Sequence, residues 1–191
     1  MSIRHHLLSR GLDPDASPVI IDEENKMATF LLWDLSGRLA GYQQYNPSGS
    51  KDYRNDEKFR NVLKYYTFAG EEGEIRNVCK KKLVAYGFHT LEYGQQILFL
   101  TEGVFDAVKI HNAGFPALAV LANNPQHLKS MIWSLSRYTV AICDDDKAGA
   151  MLRKVADVAY NVPQPYHDLG DMPQENVNEW LASLGFKHAS E

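Results

Sequence analysis

Three short apolar runs, Ile97 to Thr101, Ala117 to Leu121 and Thr139 to Cys143, each followed by a helical pattern, constrain this chain more than any other feature. Runs of that length, apolar throughout rather than alternating, read as strands buried on both faces of a parallel sheet. The helical patterns between and after them are Val104 to Asn112, Pro125 to Leu135 with Pro in its opening turn, and Lys147 to Tyr160. The last carries Ala148, Met151, Leu152, Val155 and Ala159 on one face. Such alternation predicts an open, mostly parallel α/β sheet with right-handed crossovers and a ligand site at the carboxyl ends of its strands. A final helix is expected over Glu175 to Leu184, after Pro173 and before Gly185, packed on the sheet edge.

The first half differs in character. MATFLLWDLSGRLAGYQQY places two apolar runs around Asp34-Leu35-Ser36-Gly37, the turn chemistry of an antiparallel hairpin. Asn46 to Asn61 is rich in Gly, Ser, Asp, Asn and charge, which predicts a long loop or a short exposed helix. Residues 1–18 show no sustained periodicity and carry Gly11, Pro14 and Pro18, as a flexible arm would. The expected organisation is therefore an arm over 1–18, a smaller α+β lobe over 19–95 and an α/β domain over 96–191.

With 191 residues and 45% hydrophobic content, the chain can bury one good core or two small ones. No apolar run approaches the roughly 20 residues that cross a bilayer, and the start MSIRHHLLSR lacks a secretory stretch, so a cytoplasmic protein is expected, with no membrane partner. Cys79 and Cys143 are too few for a zinc knuckle and read as packing residues. The net charge of −4 argues at first against a nucleic-acid partner. Its distribution argues the other way: basic residues concentrate between Lys51 and Lys82, and acids at Glu102–Asp106, Asp144–Asp146 and Asp168–Glu179. A basic approach surface beside an acidic metal site would look like this.

Glu102 follows ILFLT directly and precedes Gly103, so its carboxylate projects from a strand's carboxyl end. Asp106 stands near it in the first turn of the next helix, where acids also serve as caps. In VAICDDDKAG, three aspartates follow a strand and precede a helix. Residues two apart share a face, so Asp144 and Asp146 point together and Asp145 away. Two carboxylates so close repel unless a hard divalent cation neutralises them.

Together, TEGVFDA and CDDDKAG resemble the Toprim family, which carries a Glu in strand-EGxxD and a pair of Asp in strand-DxDxAG, in this order and spacing. The preceding segment resembles the amino-terminal lobe of bacterial- and phage-type primase catalytic cores: Asp34, Gly37 and Gly41 match its strand-turn-strand, Lys64-Tyr65 its "KY", and Lys81, Tyr86 and Gly87 its later Lys-plus-"LYG" stretch. YHDLGDMPQENVNEWL resembles the acidic stretch that follows the Asp pair in primases, with His167 at the usual Lys and one extra residue between Asp168 and Asp171.

The resemblance implies a Toprim domain, Rossmann-like, behind a primase-like lobe, and DNA primase chemistry in replication. Glu102, Asp144 and Asp146 would be catalytic and would hold Mg2+ (or Mn2+), with Asp106 and Asp168 adding to the metal site. Lys51, Arg54, Lys64, Lys81 and Lys82 would contact nucleoside triphosphates or the phosphates of a single-stranded DNA template. Tyr42, Tyr45, Tyr53, Tyr65 and Tyr66 are candidates for stacking on unpaired bases or for packing. Since neither a zinc module nor a helicase motor is present, a separate helicase or zinc-bearing subunit is implied, in a bacterial or phage-infected cell. The alternatives are a Toprim nuclease that cleaves DNA or RNA with the same carboxylates, and a degenerate nucleic-acid-binding accessory protein.

Overall fold

The structure, a computed structural model, describes residues 1–69, 83–122, 124–144 and 147–186. It divides into two compact units, Met1–Val84 and Ala85–Glu191.

Unit one is an antiparallel meander. Strands β1 (Val19–Asp22), β2 (Met27–Asp34), β3 (Leu39–Tyr45) and β4 (Tyr65–Ala69) are neighbours in chain order. The expected hairpin turn joins β2 to β3. The Asp34 carboxylate accepts the backbone N–H groups of Ser36 and Arg38, and Gly37 takes the left-handed φ of +77° that closes the turn. Along β2, Ala28, Phe30 and Leu32 are fully buried while Met27, Thr29 and Leu31 on the other face are half-buried. This is the two-residue period of a sheet with one face on the core. On that buried face Tyr45 stacks against Phe30 and Tyr65, with centroids 6.3 and 5.2 Å away, so Tyr45 and Tyr65 serve packing. The Asn46–Asn61 segment is a loop with one short 3-10 turn, Glu57–Phe59.

The loosely held arm expected over 1–18 is instead ordered. Residues Ile3–Ser9 form helix α1, and Ile3, Leu7 and Leu12 are buried. The Glu23 carboxylate accepts the backbone N–H groups of Ile3 and Arg4, both at 3.0 Å, and the Ser2 hydroxyl accepts that of His5. Donors that a helix start leaves open are thus satisfied from some twenty residues away, beyond the reach of local pattern.

The units divide inside the two-residue strand β5 (Val84–Ala85), ahead of the 95/96 boundary expected from sequence. Unit two contains β6 (Ile97–Thr101), α2 (Val104–Asn112), β7 (Ala117–Ala119), α3 (Lys129–Ser134), β8 (Tyr138–Cys143), α4 (Lys147–Leu152), β9 (Val158–Asn161) and α5 (Gln174–Ser183). All pairings among β6 to β9 are parallel, in the order β7-β6-β8-β9. The chain steps one way from β6 to β7 and the other way from β7 to β8 and on to β9. Under right-handed crossovers this sends α2 to one face and α3 and α4 to the other. The packing agrees: α5 lies against α2, and the 3-10 turn Pro125–Leu128 ahead of α3 lies against α4. Leu98, Phe99, Leu100, Val140, Ala141 and Ile142 form the doubly covered centre.

The long helix expected over Lys147 to Tyr160 ends at Leu152, passes through a 3-10 turn at Arg153–Val155 and continues as β9. Asp157 is the cause. Its carboxylate accepts the N–H and hydroxyl of Thr139, and Thr139 Oγ1 accepts the Asp157 N–H, a reciprocal pair that returns the chain to the start of β8. The last helix packs on α2, where Gln174 Nε2 donates to Lys109 O at 2.9 Å, rather than on the sheet edge. Among the described residues, no helix is long and apolar enough to cross a membrane.

Leu7 is completely buried, so Leu7→Ala should cost about 2 to 5 kcal/mol in chemical denaturation of the full chain, whereas an unpacked arm would give no change.

Candidate active site

The reversal of stepping direction puts a topological switch point between β6 and β8, the place where an open α/β sheet leaves room for a ligand outside the strand ends. β6 runs into Glu102 and β8 into Asp144. Because the two strands pair in parallel with Leu100 opposite Ala141, both carboxylates leave the same end of the sheet. Glu102 and Asp144 are half-buried.

Asp106 and Asp168 join them. Asp106, in the first turn of α2, accepts the Gly103 N–H at 3.1 Å on one oxygen and the Gly170 N–H at 2.7 Å on the other. It thereby ties the strand exit to the 3-10 turn Leu169–Asp171, and Asp168 caps that turn by accepting the Asp171 N–H at 2.8 Å. Removal from water, with the charges of Asp144 and Asp168 close by, pushes the Asp106 carboxyl up to about 7 against the opposing pull of the two N–H bonds. The buried Cys143 thiol is pushed up to about 11, chiefly by burial; the Glu102 and Asp144 charges add to the rise and Arg153 opposes it. Cys143 is thus the packing residue expected from sequence, and Cys79 lies outside the described residues.

Backbone geometry holds the strand ends in place. Leu121 adopts a φ of +52°, unfavourable for a branched side chain, and its N–H donates to Glu102 O at 3.1 Å. A Cβ on Gly149 would stand 2.1 Å from Asp144 O, so the first turn of α4 packs on the Asp144 backbone as only glycine allows.

Solved structures share this architecture. The primase fragment of the bacteriophage T7 primase-helicase protein matches at a TM-score of 0.55 and 12% identity, over 84% of this chain and 63% of that one. The Aquifex aeolicus primase, with zinc-binding and RNA polymerase domains, gives 0.58 and 19%, over 91% and 42%. The E. coli primase catalytic core gives 0.58 and 16%, over 94% and 58%. The fold is that of a primase catalytic core. No protein-family model matches the chain, and no curated protein matches its sequence. The chain spans about two fifths to just under two thirds of the lengths of these primase structures.

Within this primase fold the structure brings together Glu102, Asp106, Asp144 and Asp168 of the expected site; Asp146 lies outside the described residues. Among the described residues no group of three or more His, Cys, Asp or Glu is close enough to hold a metal ion by itself. The donor chemistry nonetheless suits a hard divalent cation: the oxygens are anionic, and their mutual repulsion is visible at Asp106. Both Asp106 oxygens already accept backbone N–H groups, so its described work is positioning. Sequence pattern marked Asp106 but not the Gly170 contact, which joins residues 64 apart.

The basic candidates Lys51, Arg54 and Lys64 lie in unit one. Lys51 and Arg54 are exposed, Arg54 paired with Asp56 at 3.2 Å, and Lys64 is half-buried. Lys81 and Lys82 lie outside the described residues. Arg153, singled out by no motif, is the cation whose charge reaches Cys143.

Two outcomes are expected. In metal-free buffer the folded protein holds a proton on Asp106 that the unfolded chain releases near the usual carboxylate value of 3.8. The stability from this group is therefore full below that pH and falls by a few kcal/mol, in order of magnitude, as pH rises towards 7. Thermal midpoints across that window should show the fall, and Asp106→Asn should flatten it. Gly149→Ala forces α4 off Asp144 and should cost about 1 to 3 kcal/mol in denaturation.

Proposed function

We propose that this protein is a primase-like nucleotidyltransferase that makes short RNA primers on single-stranded DNA during replication. The observation that carries the reading is the meeting of Glu102 and Asp144 at the switch point of a sheet with the primase fold. Likeness to primase catalytic cores supports a primase-like function.

Glu102, Asp144 and Asp146 would hold Mg2+ or Mn2+, with Asp168 at the margin. The bound ion would supply neutralisation of charge on the triphosphate of the incoming nucleotide. The chain's own part is to orient these oxygens: β6 and β8 fix Glu102 and Asp144, Gly149 keeps the α4 turn tight against Asp144, and Asp106 keeps the Asp168 turn beside the strand ends. The attacking group is the 3′-hydroxyl of a nucleotide, so no protein nucleophile is required. Lys51, Arg54, Lys64, Lys81 and Lys82 would supply cationic contacts to template phosphates or the triphosphate. A separate helicase or zinc-bearing protein would complete priming, and the setting would be the cytoplasm of a bacterial or phage-infected cell.

The test is incubation with single-stranded DNA and labelled ribonucleotides in magnesium or manganese, beside Asp144→Asn. Short new oligonucleotides, reduced at least a hundredfold in the variant, are expected on a denaturing gel. Template shortening without nucleotide incorporation would overturn the reading in favour of a nuclease. Asp144→Asn should also leave or raise the thermal midpoint in metal-free buffer, because it removes a charge that Asp106 feels.

A further inference from the structure

We propose that unit one carries a site for an unpaired nucleobase, in a polar cavity of about 430 Å³ on the open face of its sheet. The inference rests on the primase-like reading for its setting, but binding at this cavity involves none of the carboxylates at the ends of β6 and β8. The lining residues are the amide-bearing Asn25, Gln44, Asn46 and Asn61, with Met27, and with Asp22 and Arg60 as charged members. A volume of this size falls within the range of small-molecule sites.

Charge selects the ligand class. Hydrogen bonds from the Asn25 N–H and amide hold the Asp22 carboxyl below the usual carboxylate range, so it stays ionised and balances Arg60. A phosphate entering here would meet the Asp22 charge. A neutral heterocycle does not. The amides are partly engaged already, Asn25 Nδ2 donating to Asp22 and Asn46 Nδ2 to Asn61 O while Asn46 Oδ1 accepts the Ser48 N–H. Each NH2 keeps a second N–H and each carbonyl a second lone pair, the donor and acceptor that the edge of a base pairs with.

Gln44 gives the cavity its polarity. It is only 6% exposed, and its Oε1 accepts from Arg60 Nε at 2.7 Å. Because a guanidinium can only donate, this bond fixes which way the amide points. Gln44 Nε2 is thereby aimed at Met27 Sδ, 2.9 Å away, a thioether and a weak acceptor for a buried amide. A carbonyl oxygen or ring nitrogen of a base is a better partner. The Arg60 guanidinium lies 5.8 Å from the Tyr42 ring centroid and 3.6 Å from a Glu57 oxygen. A guanidinium plane is a surface on which a base stacks.

The base could belong to a free nucleotide or to an unpaired stretch of a strand. The experiment is an NMR titration of the full isotope-labelled chain in metal-free buffer with the four nucleosides, then with nucleoside triphosphates, inorganic triphosphate and a short single-stranded oligonucleotide. Nucleosides should shift the Gln44 and Asn46 side-chain amide signals saturably. Gln44→Met, which keeps the volume and removes the amide, should weaken that binding about tenfold or more, and the exposed Asn61→Ala should weaken it without risk to folding. Tighter binding of the oligonucleotide than of any mononucleotide assigns the base to a strand, and the reverse to a free nucleotide; either supports the site. No saturable shift with any nucleoside, unchanged affinity in both variants, or displacement of nucleoside by inorganic triphosphate would overturn it. Asp144→Asn separates the two readings. Lost primer synthesis with nucleoside binding intact belongs to the carboxylate site, and absent nucleoside binding with synthesis intact rejects this cavity alone.

Discussion

Parallel pairing of β6 with β8 is the constraint on which the rest of unit two depends. Two strands distant in sequence lie side by side in one direction, so the residues that leave them, Glu102 and Asp144, meet at one end. Like charges brought so close are costly. At Asp106 two backbone N–H groups offset part of the cost, while the Asp144 and Asp168 charges add to it. Burial, with the Asp144 and Asp168 charges close by, still pushes the Asp106 carboxyl up to about 7.

Unit one follows a different logic. Its meander covers one face with α1 and leaves the other to a polar loop, so buried aromatic stacking on one side coexists with amides and arginine on the other. A sheet exposed on one face can carry a recognition surface without giving up its core.

The doubly buried strands of unit two were legible in sequence because their environment imposes an unbroken apolar run. The β2–β3 hairpin was legible because Asp34 and Gly37 do their work within a few residues of each other. The strand-end carboxylates Glu102 and Asp144 followed from the same local logic, and Asp106 and Asp168 were named from motifs without the contacts that join them. What escaped depends on partners far along the chain. Glu23 caps α1, Thr139 holds Asp157 and so converts an apparent helical tail into β9, and Gly170 reaches Asp106. The face Ala148, Met151, Leu152, Val155 and Ala159 fits a helix period, yet the open edge of β8 offers Val158 to Asn161 a ladder, and tertiary context prevails over local preference. The Gln44 cavity had no motif at all, since its walls come from three separated segments.

The same strand orders set a sequence of events in time. From β1 to β4 each strand of unit one pairs with the one made just before it, so these contacts can form as the chain emerges, and only β5 returns to an earlier strand, β2. In unit two Leu98 waits for Thr139, and β7 has meanwhile taken the opposite side of β6. The meander is therefore folded while the central parallel sheet still has an unpaired, strongly apolar edge. During synthesis that interval, rather than any weakness of the finished structure, is when β6 is most exposed to pairing with another chain.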